Sequence, residues 1–330
     1  MKEMKVGTIG YGGAFNMGKH HINELIRNKG FVPSAVCDLD PERVKIAMTD
    51  FPGIETYTDV GTMLKKSDVQ LLVIILPHNV HAKVAMQCMA AGRHVVVEKP
   101  FAITVAECDA MIAMARKKRV VLSTFHNRHW DANILTIKKH LSKIGRPFRW
   151  ESFEGGYSQP RDWWRSNKAV SGGVIYDWGA HFVEWMLQVM PYDIEQIEGF
   201  KVKEVWKNCT NEDEMEAVVR FKGDAIASHT ASSIAMAPKD MIRITGTKGT
   251  IVATHQIVDV FTLDADGNKL KTSVKMEPAR QLEYYANLHD HLFNGKKLVI
   301  TPEWARRVIQ VLDYASISAR KRAPVKPKYK

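Results

Sequence analysis

Short apolar runs alternate with helix-length amphipathic runs through residues 1–125 of this 330-residue chain. Lys5 to Ile9 reads as a buried strand, followed by a glycine-rich turn and a helix to about Arg27. Val32 to Cys37 is a second strand, and Asp-Pro-Glu-Arg-Val opens the next helix with Pro41 at its start, where a missing N–H costs nothing. The run VQLLVIIL, Val69 to Leu76, is almost unbroken in its apolar character, the mark of a strand covered on both faces. A helix over 79–91 stops at Gly92, then come strand 94–98, helix 104–118 and strand 120–124. Strand–helix alternation of this kind builds a parallel, doubly wound α/β sheet with right-handed crossovers, here of six strands, five of which these runs locate.

The pattern changes after residue 125. A helix near 130–142 leads to a strand near 147–154, a polar and aromatic segment, and a helix over 174–189. Residues 194–274 are mostly strand-like, with turns at Lys222-Gly223-Asp224, Gly246, Gly249 and Ala265-Asp266-Gly267. Successive runs of this type predict a second α/β domain with a large, mostly antiparallel open sheet, closed by helices near 278–293 and 302–320. The expected division is 1–125 and 126–330.

Composition narrows the classes. The apolar fraction of 45% and charged fraction of 25% are those of an ordinary globular chain. No apolar run approaches the ~20 residues that span a bilayer, and MKEMKVGTIGYGG is too quickly glycine-rich for a signal peptide, so a cytoplasmic location and no membrane partner are expected. Cys37, Cys88, Cys108 and Cys209 are scattered without a CxxC pair, which argues against a disulfide framework or a zinc knot. Of the net charge of +11, six units lie in the last eleven residues, leaving +5 elsewhere. That reads as a solvated basic tail, and no nucleic-acid partner is expected.

The first strand runs into Gly10-Tyr11-Gly12-Gly13, with Phe15 where a GxGxxG motif would carry its third glycine and Gly18 further on. Glycines here allow a tight turn and bring main-chain N–H groups and a helix N-terminus to a pyrophosphate. Phe15 and Asn16 fall within the lengthened loop, and Gly18 can take the third role. Asp38 ends the second strand, where a carboxylate accepts the ribose hydroxyls of NAD and repels the 2′-phosphate of NADP. Asp40 in the same DLDP segment suits the cap of the next helix. The expected cofactor is NAD, held by a Rossmann domain.

The segments LPHNVHAKVAMQCMAAGRHVVVEKP and SGGVIYDWGAH resemble the signature segments of the Gfo/Idh/MocA oxidoreductases, over nearly the whole chain. The resemblance implies a Rossmann domain, an open-sheet domain that mediates homodimers or homotetramers, and nicotinamide-dependent oxidation of a secondary alcohol on a sugar or cyclitol. It matches Lys99 to the EKP lysine, and Asp177 and His181 to a DxxxH pair. Asp177 and His181 are four apart on a helix and so share a face. His181 suits the removal of a hydroxyl proton, Lys99 the stabilisation of an alkoxide or a proton relay, and Asp177 the orientation of a substrate hydroxyl. The choice of base between His181 and Lys99 stays open.

Pro77, Asn79 and His81 are expected to line the nicotinamide, with Glu98, Asn127, Trp163 and Arg165 as further cofactor contacts. Tyr157, Trp164 and Arg165 are expected to meet the substrate, through aromatic faces on sugar C–H surfaces and a guanidinium on hydroxyls or carboxylates. Turn formation, capping and packing explain several of these residues equally well. No metal is expected: neither Asp177 and His181 nor His289-Asp290-His291 has an indicated third ligand. Two other functions share the scaffold, a redox-type glycoside hydrolase that recycles its NAD and a non-catalytic nucleotide sensor.

Overall fold

The computed structural model describes residues 3–330; Met1 and Lys2, which begin the segment read above as lacking a leader, lie outside them. In chain order the first elements are β1 (Met4–Ile9), α1 (Met17–Arg27), β2 (Phe31–Cys37), α2 (Pro41–Asp50), β3 (Glu55–Tyr57), α3 (Val60–Lys66), β4 (Leu71–Ile74), α4 (His81–Ala90), β5 (His94–Val97), α5 (Val105–Lys118) and β6 (Leu122–Thr124). They form a six-stranded sheet in the order β3-β2-β1-β4-β5-β6, with every pairing parallel. The strand that the apolar runs did not locate is β3, a three-residue edge strand. Local chemistry sets the helix starts. Asp40 caps α2 by accepting the Glu42 N–H, as expected, and Thr104 and Glu107 close a reciprocal capping box on α5.

The chain continues through α6 (Ala132–His140), β7 (Pro147–Gly155), α7 (Lys168–Ser171), α8 (Tyr176–Val189), β8 (Ile194–Val202), β9 (Glu214–Phe221), β10 (Ala225–Ser232), β11 (Ile242–Gly246), β12 (Gly249–Ala253), β13 (Val258–Leu263), β14 (Lys269–Val274), α9 (Glu283–Asn294) and α10 (Pro302–Lys321). The eight strands run β14-β13-β12-β11-β7-β10-β9-β8, antiparallel except where β7 pairs with β10. Contacts divide the chain into one compact unit of residues 1–126 and 282–306 and another of 127–281 and 307–330. Residues 282–306, which the sequence reading left in the C-terminal domain, therefore belong with the first unit. Tyr284 of α9 meets Phe125 edge-on and Tyr285 packs on it at a tilt, burying aromatic surface that no local signal in the sequence assigns to either unit.

The basic side chains of the tail, Arg320, Lys321, Arg322, Lys326, Lys328 and Lys330, are exposed as expected, while its main chain is docked. Val325 exchanges two main-chain hydrogen bonds with Ile197 of β8, and Gln310 holds the main chain of Lys328 and Tyr329. The tail covers part of an edge strand whose N–H and C=O groups would otherwise stand open. No described helix is long and apolar enough to cross a membrane.

In the second unit α8 packs on β10 and β7 and is apolar around most of its circumference. It approaches the sheet at Gly179, where a Cβ would stand 3.3 Å from the imidazole of His229. That imidazole is buried, stacks on Phe182 at 4.8 Å and meets the Ser152 hydroxyl through Nδ1 at 3.0 Å. Burial pushes its pKa down to about 3. The unfolded chain takes up this proton near the ordinary histidine value, and the folded chain does so only near pH 3. The stability tied to His229 is therefore complete above the ordinary value and is lost as the pH falls through that window, at up to about 1.4 kcal/mol per pH unit. Urea unfolding between pH 7 and pH 4 should show a steeper acid loss for the wild type than for His229→Gln; parallel curves would refute it.

Candidate active site

At the carboxyl end of β1, Gly10 has φ +99°, and a Cβ there would lie 2.0 Å from the Ile75 carbonyl oxygen. No other residue fits that turn. Gly12 opposes nothing within 4 Å, and the Arg43 guanidinium lies against Gly13. A Cβ on Gly18 would meet Tyr11 at 2.7 Å and the Gly10 carbonyl at 3.1 Å, so Gly18 permits the close helix–strand approach of a third motif glycine. Phe15 is exposed in the loop, and Asn16 adopts a left-handed conformation at the start of α1. Its side chain makes no cap there, and the first turn of α1 holds no acid. The helix thus keeps its N-terminal N–H groups and positive end for an anion.

Asp38 faces this turn. Its Oδ2 accepts the Tyr11 N–H at 2.6 Å and its Oδ1 accepts the Asp40 N–H at 2.9 Å. Both oxygens are fixed by main chain and retain lone pairs for ribose hydroxyls. The glycine turn, the uncapped helix and the anchored carboxylate together fit a dinucleotide.

Two residues expected as cofactor contacts, His81 at the nicotinamide and Glu98, are buried. His81 is fully buried, with Nδ1 at 2.8 Å from the Pro100 carbonyl and Nε2 at 2.8 Å from the Leu76 carbonyl. It ties two loops together. Glu98 is buried as well, with Oε1 on the His21 ring and Oε2 accepting the Lys99 N–H. Burial pushes its carboxyl up, but the hydrogen bond and charge of His21 outweigh this and hold it below the usual range. Pro77 and Lys99 are half-buried, and Asn79 is exposed in a short 3-10 turn before α4. His21 and Tyr285, which sequence reasoning passed over, hydrogen-bond to each other at 2.6 Å.

In the second unit the structure gathers Trp163, Trp164, Arg165 and Asp177. The Arg165 guanidinium lies 4.9 Å from one indole and 4.3 Å from the other, and its Nε is 3.4 Å from Asp177 Oδ2. Two aromatic faces limit the guanidinium's rotation and exclude water from one side of the ion pair. One turn along α8, His181 is buried between Trp178 at 5.5 Å and Trp185 at 6.4 Å. Asn127 is half-buried at the first position of this unit. Tyr157 is exposed and packs on Trp206. Beside α8 lies a cleft of about 390 Å³ whose walls include Trp178, Phe182, Glu154, Lys239 and His255. Burial holds the His255 pKa below its usual value.

Residues 4–126 match the oxidoreductase family with an NAD-binding Rossmann fold, and residues 135–252 match the GFO/IDH/MocA C-terminal domain. The chain belongs to the Gfo/Idh/MocA oxidoreductases. It is an NAD-dependent oxidoreductase with the two-sheet architecture expected from its sequence. A myo-inositol 2-dehydrogenase of Thermotoga maritima is 28% identical over 276 residues, covering 81% of this chain and 80% of that enzyme. The scyllo-inositol 2-dehydrogenase (NADP(+)) IolW of Bacillus subtilis is 30% identical over 190 residues, covering 56% of this chain and about half (51%) of that enzyme. The WlbA dehydrogenase of Bordetella pertussis, solved in complex with NADH and UDP-GlcNAcA, shares the fold with a TM-score of 0.81 at 20% identity, covering 98% of each chain.

Proposed function

We propose that this oxidoreductase acts on a secondary alcohol of a sugar, sugar derivative or cyclitol. The observation that carries the reading is the arrangement on α8, where an Asp177 carboxylate restrained by Arg165 stands one turn from a buried imidazole, His181. NAD held at the glycine turn and Asp38 would supply the hydride acceptor. Loss of a hydride from a carbinol carbon requires the hydroxyl proton to leave too, and His181 takes it. Lys99 stabilises the oxygen as negative charge develops, by charge and hydrogen bond. Asp177 orients the substrate through a neighbouring hydroxyl. Asp38 takes the adenosine ribose, and the N-terminus of α1 takes the pyrophosphate.

Two curated relatives are inositol dehydrogenases by name, which supports a polyhydroxylated ring as substrate. The active form is a cytoplasmic homodimer or homotetramer assembled through the C-terminal sheet.

The test is to identify the nucleotide released on denaturation and then to screen inositols, hexoses and uronic acids for NADH formation. At least one ring polyol should yield NADH in proportion to ketone. No NADH from any of them would overturn the reading. Cleavage of a glycoside by protein carrying bound NAD, without net NADH, would transfer the chain to redox-type hydrolysis.

A further inference from the structure

Three buried polar groups converge behind Lys99. His21, one turn into α1, is fully buried against Phe125, with ring centroids 4.2 Å apart. Its Nε2 lies 2.9 Å from Glu98 Oε1 and its Nδ1 lies 2.6 Å from the Tyr285 hydroxyl. Glu98 Oε2 accepts the Lys99 N–H at 2.9 Å. An ionised carboxylate only accepts, so His21 Nε2 carries a proton and donates it to Glu98. Burial holds the Tyr285 hydroxyl well above its usual pKa, so it remains a hydroxyl. From the other side His81, the first residue of α4, reaches the Pro100 carbonyl at 2.8 Å.

The segment Glu98–Pro100 is thus tied to the second turn of α1 and the first residue of α4. Stability is a weak reason for such a cluster, because a buried ion pair gains little over apolar residues of the same volume. Its geometry does something that apolar packing cannot: directional bonds run without a break from the helix that begins at the glycine turn to the Lys99 main chain.

We infer that His21 and Glu98 are positioning residues that couple occupancy of the α1 N-terminus to the placement of Lys99. A ligand on the phosphate side would draw Lys99 into its working position, and by linkage a correctly placed Lys99 would tighten that ligand. The inference rests on the role assigned to Lys99 above.

ADP tests it, because it offers adenosine and pyrophosphate without a nicotinamide that could perturb Lys99 directly. The full chain is reductively methylated with ¹³C-formaldehyde, and the Lys99 signal is assigned by its loss in Lys99→Arg. In the wild type ADP should shift that signal. In His21→Leu, ADP should still bind and the shift should fall by about fivefold or more. His21→Gln, whose amide can donate to Glu98 and accept from Tyr285, should restore it. Should His21→Leu fail to fold, His21→Leu combined with Glu98→Met serves in its place, since it removes both polar partners together and leaves neither the imidazole nor the carboxylate unpaired. An undiminished shift in the folded variant, or none in the wild type, overturns the inference. Wild-type turnover by Lys99→Ala would instead remove the chemical role of Lys99 and leave the coupling measurable.

Discussion

Replacing His181 with alanine is expected to lower kcat by about 10²–10⁴-fold, the usual worth of a positioned general base, while NAD binding stays near the wild-type level. The separation follows from where the residues lie: His181 belongs to the second unit, and the glycine turn, Asp38 and the start of α1 belong to the first. His181 is 4% exposed, so the substitution also leaves a cavity beside Trp178 and Trp185. Thermal unfolding therefore has to accompany the kinetics, and His181→Asn, which fills most of the space and cannot act as a base near neutral pH, is the better control. If both variants fold and both lose kcat, the base is assigned. If His181→Asn keeps wild-type kcat and Lys99→Ala does not, the proton goes to Lys99, the alternative that the sequence left open. If Asp177 orients the substrate as proposed, Asp177→Asn should act chiefly on KM.

Periodic and local features of the fold were legible in the sequence. Val69–Leu76 announces a strand covered on both faces, and Pro41 after Asp40 announces a capped helix, because each signal lies within a few residues of the structure it produces. The glycine turn was legible for the same reason, and Gly18 could be suspected because a close helix approach tolerates no side chain. Partnerships formed across long stretches of chain were not. His21 and Tyr285 are 264 residues apart, and neither carries a motif that points to the other. His81 and Glu98 looked like cofactor contacts because they flank motif residues; whether a polar side chain faces a ligand or the interior depends on neighbours that the sequence does not name. The three-residue β3 is too short to show alternation, and the placement of Leu282–Arg306 with the first unit depends on aromatic packing against Phe125.

Asp38→Ala is expected to weaken NAD binding by about 10- to 150-fold, the loss of hydrogen bonds to a charged acceptor worth about 1.5–3 kcal/mol. Two effects contribute, and they can be separated. The ribose hydroxyls lose their acceptor, and the Tyr11 N–H, donated to Asp38 at 2.6 Å, loses its partner at the centre of the glycine turn. Asp38→Asn keeps one acceptor oxygen and should fall between the wild type and the alanine variant. NADP should respond in the opposite sense. An Asp38 carboxylate at the ribose would repel a 2′-phosphate, while the Arg43 guanidinium lies against Gly13 of the same loop. Removing the one charge leaves the other, so NADP binding should improve in Asp38→Ala even as NAD binding declines. Isothermal titration of both nucleotides against wild type and both variants decides it. Equal losses for NAD and NADP would mean that Asp38 serves the turn and not the ribose, and a wild-type preference for NADP would place the selectivity with Arg43.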